Sequence, residues 1–236
     1  MTLEREAQTL EAAEPQQAAA VTPGTVEIPP PVDSAAVETP AVSAAPPTAP
    51  LRYALSVEQY EAMIRAGILT TKDQLELLEG QLYKKMTKNE PHVICSLLFT
   101  ELLPRLLPAG WLLSFENPVQ ALQSLPEPDV MIVRGKPRDF LGQRIPADKI
   151  GLLVEISDAT LVFDRTVKLR IYAGGGVPIY WVVNLNERQI EVFTQPYAQD
   201  GEAGYRVREV FTDANTLPFI LDGQEIARIP VTDLLP

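Results

Sequence analysis

The chain has few of the side chains that build most metal sites and nucleophilic sites. It contains one cysteine, Cys95, and one histidine, His92, among its 236 residues. A single cysteine excludes an internal disulfide and a thiolate metal cluster, and a single histidine excludes the His-Glu-x-x-His zinc motif. A Cys–His nucleophile pair on one helix face is conceivable, but a small buried thiol is the commoner role for such a cysteine.

Two other signatures of catalysis are missing, and so are membrane signals. The sequence has no Gly-x-Ser-x-Gly nucleophile elbow, and Gly174–Gly176 lacks the Lys-Ser/Thr pair that completes a phosphate-binding loop. That glycine run follows a helical apolar pattern, which indicates a helix stop. No apolar run is long enough for a bilayer, and no basic-then-apolar segment resembles a signal peptide. We therefore expect a cytoplasmic protein with no membrane partner.

Positive charge is also scarce. The formal net charge is −11. Residues 1–50 hold seven acidic side chains against Arg5 alone, so they contribute −6 and residues 51–236 contribute −5. This balance argues against a protein that holds nucleic acid through a broad basic surface. It still permits a nuclease whose basic groups are local and whose acids bind metal.

The first 50 residues have the composition of a disordered tail. They are rich in Ala and Pro and contain no aromatic residue. Such a segment cannot bury enough apolar area to offset its chain entropy, although a marginal helix over Leu3–Ala13 is conceivable. We predict a disordered acidic tail over residues 1–50 and a folded domain over residues 51–236.

Local patterns in the domain predict helices and strands around a central sheet. A capping box at Ser56–Gln59 opens a helix that Gly67 ends, and Glu79-Gly80 is the turn of a hairpin. Pro91 begins a second helix, and Asp164–Ala173 forms a third. Strands are predicted at 75–78, 81–83, 111–115, 130–133, 152–156, 179–183, 190–193 and 205–211. This order indicates an α/β or α+β domain, in which the apolar segment 217–235 has no assignment.

Two acidic residues lie where a core strand would bury them. Asp129 opens the apolar run Val130–Val133, and Glu155 lies inside Gly151–Ser157. A buried carboxylate is costly unless a metal, a cation or hydrogen bonds compensate it. Mg²⁺ prefers one or two carboxylates together with waters and a phosphate oxygen, and it lowers the pKa of a bound water. The pattern predicts a Mg²⁺ site at Asp129 and Glu155, with Mn²⁺ as the alternative metal.

Lys168 follows on the third predicted helix, on one face with Asp164 and Tyr172. Its ammonium could orient a metal-bound water or stabilise the oxyanion of the transition state. The alternative is an ordinary helix pair with Asp164, worth roughly a few tenths of a kcal/mol. The two carboxylates could likewise be exposed at strand ends or paired with arginines such as Arg134 and Arg165. The three residues together favour a site, because perturbed groups cluster at functional positions.

Six stretches occur in the order and spacing of a known family. They are Leu75–Leu82, His92, Glu127–Val130, Leu153–Ser157, Asp164–Leu169 and Gly176–Val183. Together they resemble the Uma2 family of restriction-type endonucleases in the PD-(D/E)XK superfamily, over about Leu51 to Leu235. The resemblance implies a restriction-endonuclease-like α/β fold, with a central mixed β-sheet flanked by helices and Mg²⁺ held by Asp129 and Glu155.

The resemblance also assigns the remaining site residues. The usual superfamily pattern has a lysine two residues after the second acid, where this chain has Ser157, so the family likeness places that lysine at Lys168. Glu76 matches an acid before the hairpin turn and either completes the metal shell or is an exposed hairpin acid. His92 could contact a phosphate, support Glu76 or transfer a proton, or it could be a structural or solvent-facing group.

These observations predict a metal-dependent endonuclease that hydrolyses DNA phosphodiester bonds. Its expected catalytic residues are Asp129, Glu155, Lys168, Glu76 and His92. Cutting both strands would favour a homodimer. One alternative is a catalytically weak, nuclease-like domain that acts as a nucleic-acid-binding or regulatory module, which the acidic charge and the displaced lysine motivate. Another is a hydrolase of a smaller phosphodiester.

Overall fold

The computed structural model describes the backbone of residues 24–27 and all of residues 52–236. Its strands are β1 (Gly24–Glu27), β2 (Leu75–Leu78), β3 (Gln81–Lys84), β4 (Trp111–Phe115), β5 (Val119–Gln120), β6 (Val130–Arg134), β7 (Ile145–Pro146), β8 (Ile150–Ser157), β9 (Ile179–Asn184), β10 (Gln189–Gln199), β11 (Glu202–Thr212), β12 (Thr216–Leu221) and β13 (Gln224–Pro230). Its α-helices are α1 (Val57–Arg65), α2 (Glu90–Leu106), α3 (Leu161–Phe163) and α4 (Leu169–Gly174).

A seven-stranded mixed sheet forms the centre, in the order β1-β11-β10-β9-β8-β6-β4. Strands β8 and β9 are parallel, while the other neighbours in the sheet are antiparallel. This arrangement confirms the predicted central mixed sheet. Strand β1 lies within the span predicted as a disordered tail and was not predicted. The predicted helix over Leu3–Ala13 lies outside the described residues.

Alternation along the strands gives the sheet two apolar faces. On β8, Val154 and Ile156 join one buried cluster, while Leu153 joins the other. Helix α2 packs on the first face through Cys95, Phe99 and Leu103. The second face is covered by α4, through Ile171, Tyr172 and Ala173. Glu155 therefore points toward the second face, as the period-two pattern predicted.

The connection from β8 to β9 is helical and contains a π turn. It runs through α3, the π turn Asp164–Lys168 and α4. The sequence predicted a regular helix over Asp164–Ala173, and the structure corrects this by starting the helical segment at Leu161 and widening it in the middle. Asp164 and Lys168, at the two ends of this π turn, are both buried.

Glu191 of β10 fixes this π turn to the sheet. Its side chain is fully buried and accepts hydrogen bonds from two guanidinium groups. Arg165 of the π turn donates from Nε at 2.9 Å, and Arg208 of β11 donates from Nε at 2.9 Å. Two cations offset the cost of burying one carboxylate. The sequence considered Arg165 as a partner for Asp129 or Glu155, but in the structure it pairs with Glu191.

The first two helices and the first hairpin have the capping and turn residues that the sequence indicated. Ser56 and Gln59 form a reciprocal capping box at the start of α1. Glu79 and Gly80 both have positive φ, which is the geometry of a type I′ turn between β2 and β3. None of the helices in residues 52–236 is long and apolar enough to cross a membrane.

Strands β12 and β13 form a hairpin that the sequence left unassigned. Leu217, Phe219 and Leu221 alternate toward the first core face and are buried. The turn is Asp222-Gly223, a pair that favours type I′ hairpins. Pro218 lies inside β12. Because proline is disfavoured within strands, it weakens the strand signal of this short apolar run.

The close approach of the Trp111 side chain, from the edge strand β4, to Gly151 of β8 gives a stability prediction. A Cβ on Gly151 would lie 2.5 Å from Cζ3 of Trp111, whose ring also stacks against the guanidinium of Arg134. We expect Gly151→Ala to lower the free energy of unfolding by about 1–3 kcal/mol, because the rigid ring must shift. Urea denaturation would measure the loss.

Gly174→Ala is the matched control. Its new Cβ, at the end of α4, would meet the flexible end of the exposed Leu122 at 3.3 Å and Cβ of Ala203 at an ordinary contact distance of 3.6 Å. Alanine favours a helix over glycine, so this variant should be as stable as the wild type or more stable. Equal stability of Gly151→Ala and the wild type would contradict the packing argument.

Candidate functional site

A cleft of about 560 Å³ opens between the β2–β3 hairpin, the start of α2, the ends of β6 and β8, and the π turn. Each of these elements contributes charged side chains to it. All five residues predicted as catalytic line this cleft: Asp129, Glu155, Lys168, Glu76 and His92. The fold therefore brings together side chains that are up to 92 positions apart in the chain.

Asp129 lies at the start of β6, where both of its carboxylate oxygens have partners. Its Oδ2 accepts a hydrogen bond from the backbone N–H of Ile156 at 2.8 Å and lies 3.2 Å from Nε2 of His92. Its Oδ1 accepts from Nζ of Lys88 at 2.8 Å. Burial alone would raise the pKa of Asp129, but the hydrogen bond and charge of His92, together with the Lys88 ammonium, lower it to about 2.

His92 thus contacts Asp129, whereas the sequence left open a phosphate contact, support of Glu76, proton transfer, or a structural or solvent-facing role. It stands at the first turn of α2, where the Asn89 side chain caps the helix by accepting from the His92 N–H at 3.1 Å. Its Nδ1 is buried without a hydrogen-bond partner among the described residues. The Nε2 contact orients the Asp129 carboxylate within the cleft.

Glu155 lies on β8 and is almost fully buried, at 3% exposure. Its Oε1 accepts hydrogen bonds from the Tyr172 hydroxyl at 2.6 Å and from Nζ of Lys168 at 3.0 Å. Burial raises the pKa of Glu155 well above its ordinary value, and the Lys168 charge offsets only part of that rise. Glu155 therefore carries its negative charge only with the help of a nearby cation.

Lys168 supplies this cation and is itself held by several acids. Its Nζ lies 3.7 Å from Oε1 of Glu76, in addition to the Glu155 contact. Burial alone would lower the pKa of Lys168, but the charges of Glu155, Glu76 and Asp164 raise it above its usual range. The ammonium stays protonated at neutral pH and lies next to Glu155.

Glu76 and Asp164 complete the inner part of the cleft. Glu76 is buried, and its Oε2 accepts from the backbone N–H of Glu127 at 3.2 Å, so it is not the exposed hairpin acid of the alternative interpretation. Asp164 accepts from the hydroxyls of Ser157 at 2.8 Å and Thr160 at 2.6 Å. Asp164 and Lys168 are both buried, so they do not form the ordinary surface pair of the alternative interpretation.

Lys88 is the cleft residue that sequence reasoning missed. Besides its contact with Asp129, its Nζ lies 2.7 Å from Oε1 of Glu116, which follows β4. Two other lysines precede it: Lys84, the last residue of β3, and Lys85, which follows that strand. Three lysines within five residues of an acidic chain were a usable signal. The sequence did not show which acid they would meet.

The cleft offers two carboxylates, those of Asp129 and Glu155, as ligands for a hard divalent cation such as Mg²⁺. Within residues 52–236, no group of three His, Cys, Asp or Glu side chains is arranged to hold a metal ion. Asp129 and Glu155 come from neighbouring antiparallel strands, line one cleft and are each compensated by an ammonium. Two carboxylates are sufficient for Mg²⁺ when waters and substrate oxygens supply its other ligands.

Comparison with known proteins identifies relatives of this fold. The model of the Uma2 family, described as "Putative restriction endonuclease", matches residues 57–229, which is more than half of the chain. A crystal structure described as "a putative nuclease belonging to DUF820", from Anabaena variabilis, superposes with a TM-score of 0.54 at 15% sequence identity. That match covers 76% of this chain and 97% of the other. No curated protein matches the chain. The structural likeness confirms the predicted fold class.

The lowered pKa of Asp129 gives a prediction for acid stability. Because its pKa falls from an ordinary 3.8 to about 2 on folding, Asp129 stabilises the fold above pH 3.8 and loses that effect toward pH 2. Between about pH 5 and pH 2, the wild type should lose on the order of 1–2 kcal/mol more unfolding free energy than Asp129→Asn. Urea titrations across this range would measure the difference. The exposed Asp148→Asn is the control, and identical pH profiles for wild type and Asp129→Asn would refute the assignment.

Proposed function

The chain belongs to the Uma2 family, and from this we propose that it is a metal-dependent endonuclease that hydrolyses DNA phosphodiester bonds in the cleft of Asp129 and Glu155. The family and the nuclease-like fold support a nuclease function. One observation carries the finer assignment. Two buried carboxylates and two ammonium groups from separate segments converge on a single cleft, with Lys88 on Asp129 and Lys168 on Glu155.

The charge of the cleft supports the need for a divalent cation. Seven carboxylates line it against four lysines: Glu76, Glu116, Glu127, Asp129, Glu155, Asp158 and Asp164 against Lys84, Lys85, Lys88 and Lys168. A polyanionic substrate would be repelled by this excess of negative charge. Mg²⁺ or Mn²⁺ held by Asp129 and Glu155 would reduce the negative charge of the cleft, polarise the phosphate and lower the pKa of a bound water.

Within this proposal the chain's own residues divide into two roles. Lys168 orients the attacking water or stabilises the negative charge that develops on the phosphate, because its ammonium stays charged beside Glu155. Glu76 and His92 are positioning residues. Glu76 holds the Lys168 ammonium from the hairpin side, and His92 orients the Asp129 carboxylate. Tyr172 fixes Glu155 through its hydroxyl.

Removing either carboxylate should abolish cleavage and keep the fold. We expect Asp129→Ala and Glu155→Ala to reduce Mg²⁺- or Mn²⁺-dependent cleavage of plasmid and oligonucleotide DNA by at least about 100-fold, because the cation would lose a ligand. Lys168→Ala should also lower the rate, by about 10²–10³-fold, as expected for a lost transition-state contact. Circular dichroism would check that each variant is folded, and the exposed Asp148→Ala serves as the control.

The same assay separates the alternatives. If the wild type binds DNA without cutting it in either metal, the domain is a binding or regulatory module. Cleavage of small phosphodiesters without cleavage of DNA would favour the smaller substrate class. If either folded carboxylate variant cuts DNA like the wild type, the site assignment is wrong.

A further inference from the structure

Lys88 and Lys168 are held in different ways at the two ends of the same cleft. The Lys168 side chain is 10% exposed and lies against the buried Glu155 and Glu76. The Lys88 side chain is 32% exposed and bridges Asp129 to Glu116, whose own side chain is 61% exposed. Of the two ammonium groups that contact Asp129 and Glu155, Lys88 is therefore the one that a ligand in the cleft can reach more easily.

Lys88 can also leave its position at a lower cost. If Lys168 moved away, Glu155 would lose its nearest cation in a fully buried position, which is strongly unfavourable. If Lys88 moved away, Asp129 would keep its contacts to the Ile156 N–H and His92 Nε2. The contact to the exposed Glu116 is of the kind that contributes little to stability.

The two oxygens of Asp129 are therefore not equivalent. Oδ2 is fixed by contacts from Ile156 and His92 that belong to the fold. Oδ1 is occupied by the Lys88 ammonium at 2.8 Å. A cation that approached Asp129 from the cleft would compete with Lys88 for this oxygen.

We propose that Lys88 is a phosphate-binding lysine that changes its partner. In the free protein its ammonium pairs with Oδ1 of Asp129, and when the nucleic-acid substrate binds, the side chain moves so that the ammonium pairs with a phosphate. This inference rests on the proposed function and adds to it a substrate contact that the family pattern does not assign. Release of Lys88 both exposes the carboxylate oxygen and provides a positive charge in a cleft with an excess of carboxylates. It couples cation binding at Asp129 to phosphate binding beside it.

The first test measures metal binding without DNA. Lys88→Ala should bind Mn²⁺ about 3- to 10-fold more tightly than the wild type by isothermal titration calorimetry, because a competing charge leaves a ligand oxygen. Lys88→Gln should behave in the same way with a side chain of similar length. Lys85→Ala is the matched control, since it removes a lysine of the same loop that pairs with Glu127 and not with Asp129. Because Lys85 also lines the cleft, this variant reports the loss of cleft charge alone, and its gain in Mn²⁺ affinity should be smaller than that of Lys88→Ala.

The second test measures DNA binding with Ca²⁺ in place of Mg²⁺. If Lys88 contacts a phosphate, Lys88→Ala should weaken binding, and the slope of log K against log salt should become shallower by about one. Lys149→Ala removes an exposed lysine next to Asp148, outside the cleft, and should leave the slope unchanged.

The outcomes distinguish this inference from the proposed function. Tighter metal binding together with a shallower salt slope in folded Lys88→Ala and Lys88→Gln supports the role of Lys88. If the wild type cleaves DNA with metal but both variants match it in metal affinity and salt slope, Lys88 is only a structural ion pair. A wild type that neither binds metal nor cleaves DNA would overturn the proposed function, and the inference about Lys88 with it.

Discussion

The structure of the site depends on how an acidic side chain buried on a central strand is compensated. Glu155 lies on β8, between β6 and β9, and its side chain is almost fully buried. An isolated ion there would be too costly, so the chain surrounds it with the Tyr172 hydroxyl and the Lys168 ammonium. Both partners come from the helical connection to the parallel strand β9. The helical connection between β8 and β9 therefore also supplies the hydrogen bonds and the positive charge that compensate the buried Glu155.

Much of this arrangement could be predicted, because short-range rules govern it. The turn at Glu79-Gly80, the capping box at Ser56 and the alternation along β8 each depend on neighbouring residues alone. The convergence of Asp129, Glu155 and Lys168 on one cleft followed from their order on adjacent elements and from the family resemblance. The roles of these residues remain predictions.

What the sequence did not predict depends on contacts between distant segments. The sequence did not indicate the π turn, whose Arg165 pairs with Glu191 on β10, a partner 26 positions away. Lys88 meets Asp129 across 41 positions, and no local pattern selects that acid over its neighbours. The β12–β13 hairpin was missed for a local reason, since Pro218 weakens a strand signal that Asp222-Gly223 and the alternation otherwise give.

The ion pairs of Glu191 with Arg165 and Arg208 affect which substitutions the protein tolerates. Glu191 does not line the cleft, yet Arg165 ties it to the turn that carries Lys168. Replacing Glu191 would remove the ion pair that holds the π turn, so the backbone that carries Lys168 would be less firmly fixed. No residue that lines the cleft would change. Inherited variation at β10 could therefore inactivate the protein while every residue of the cleft is retained. A survey of orthologues restricted to the cleft would class such a protein as intact.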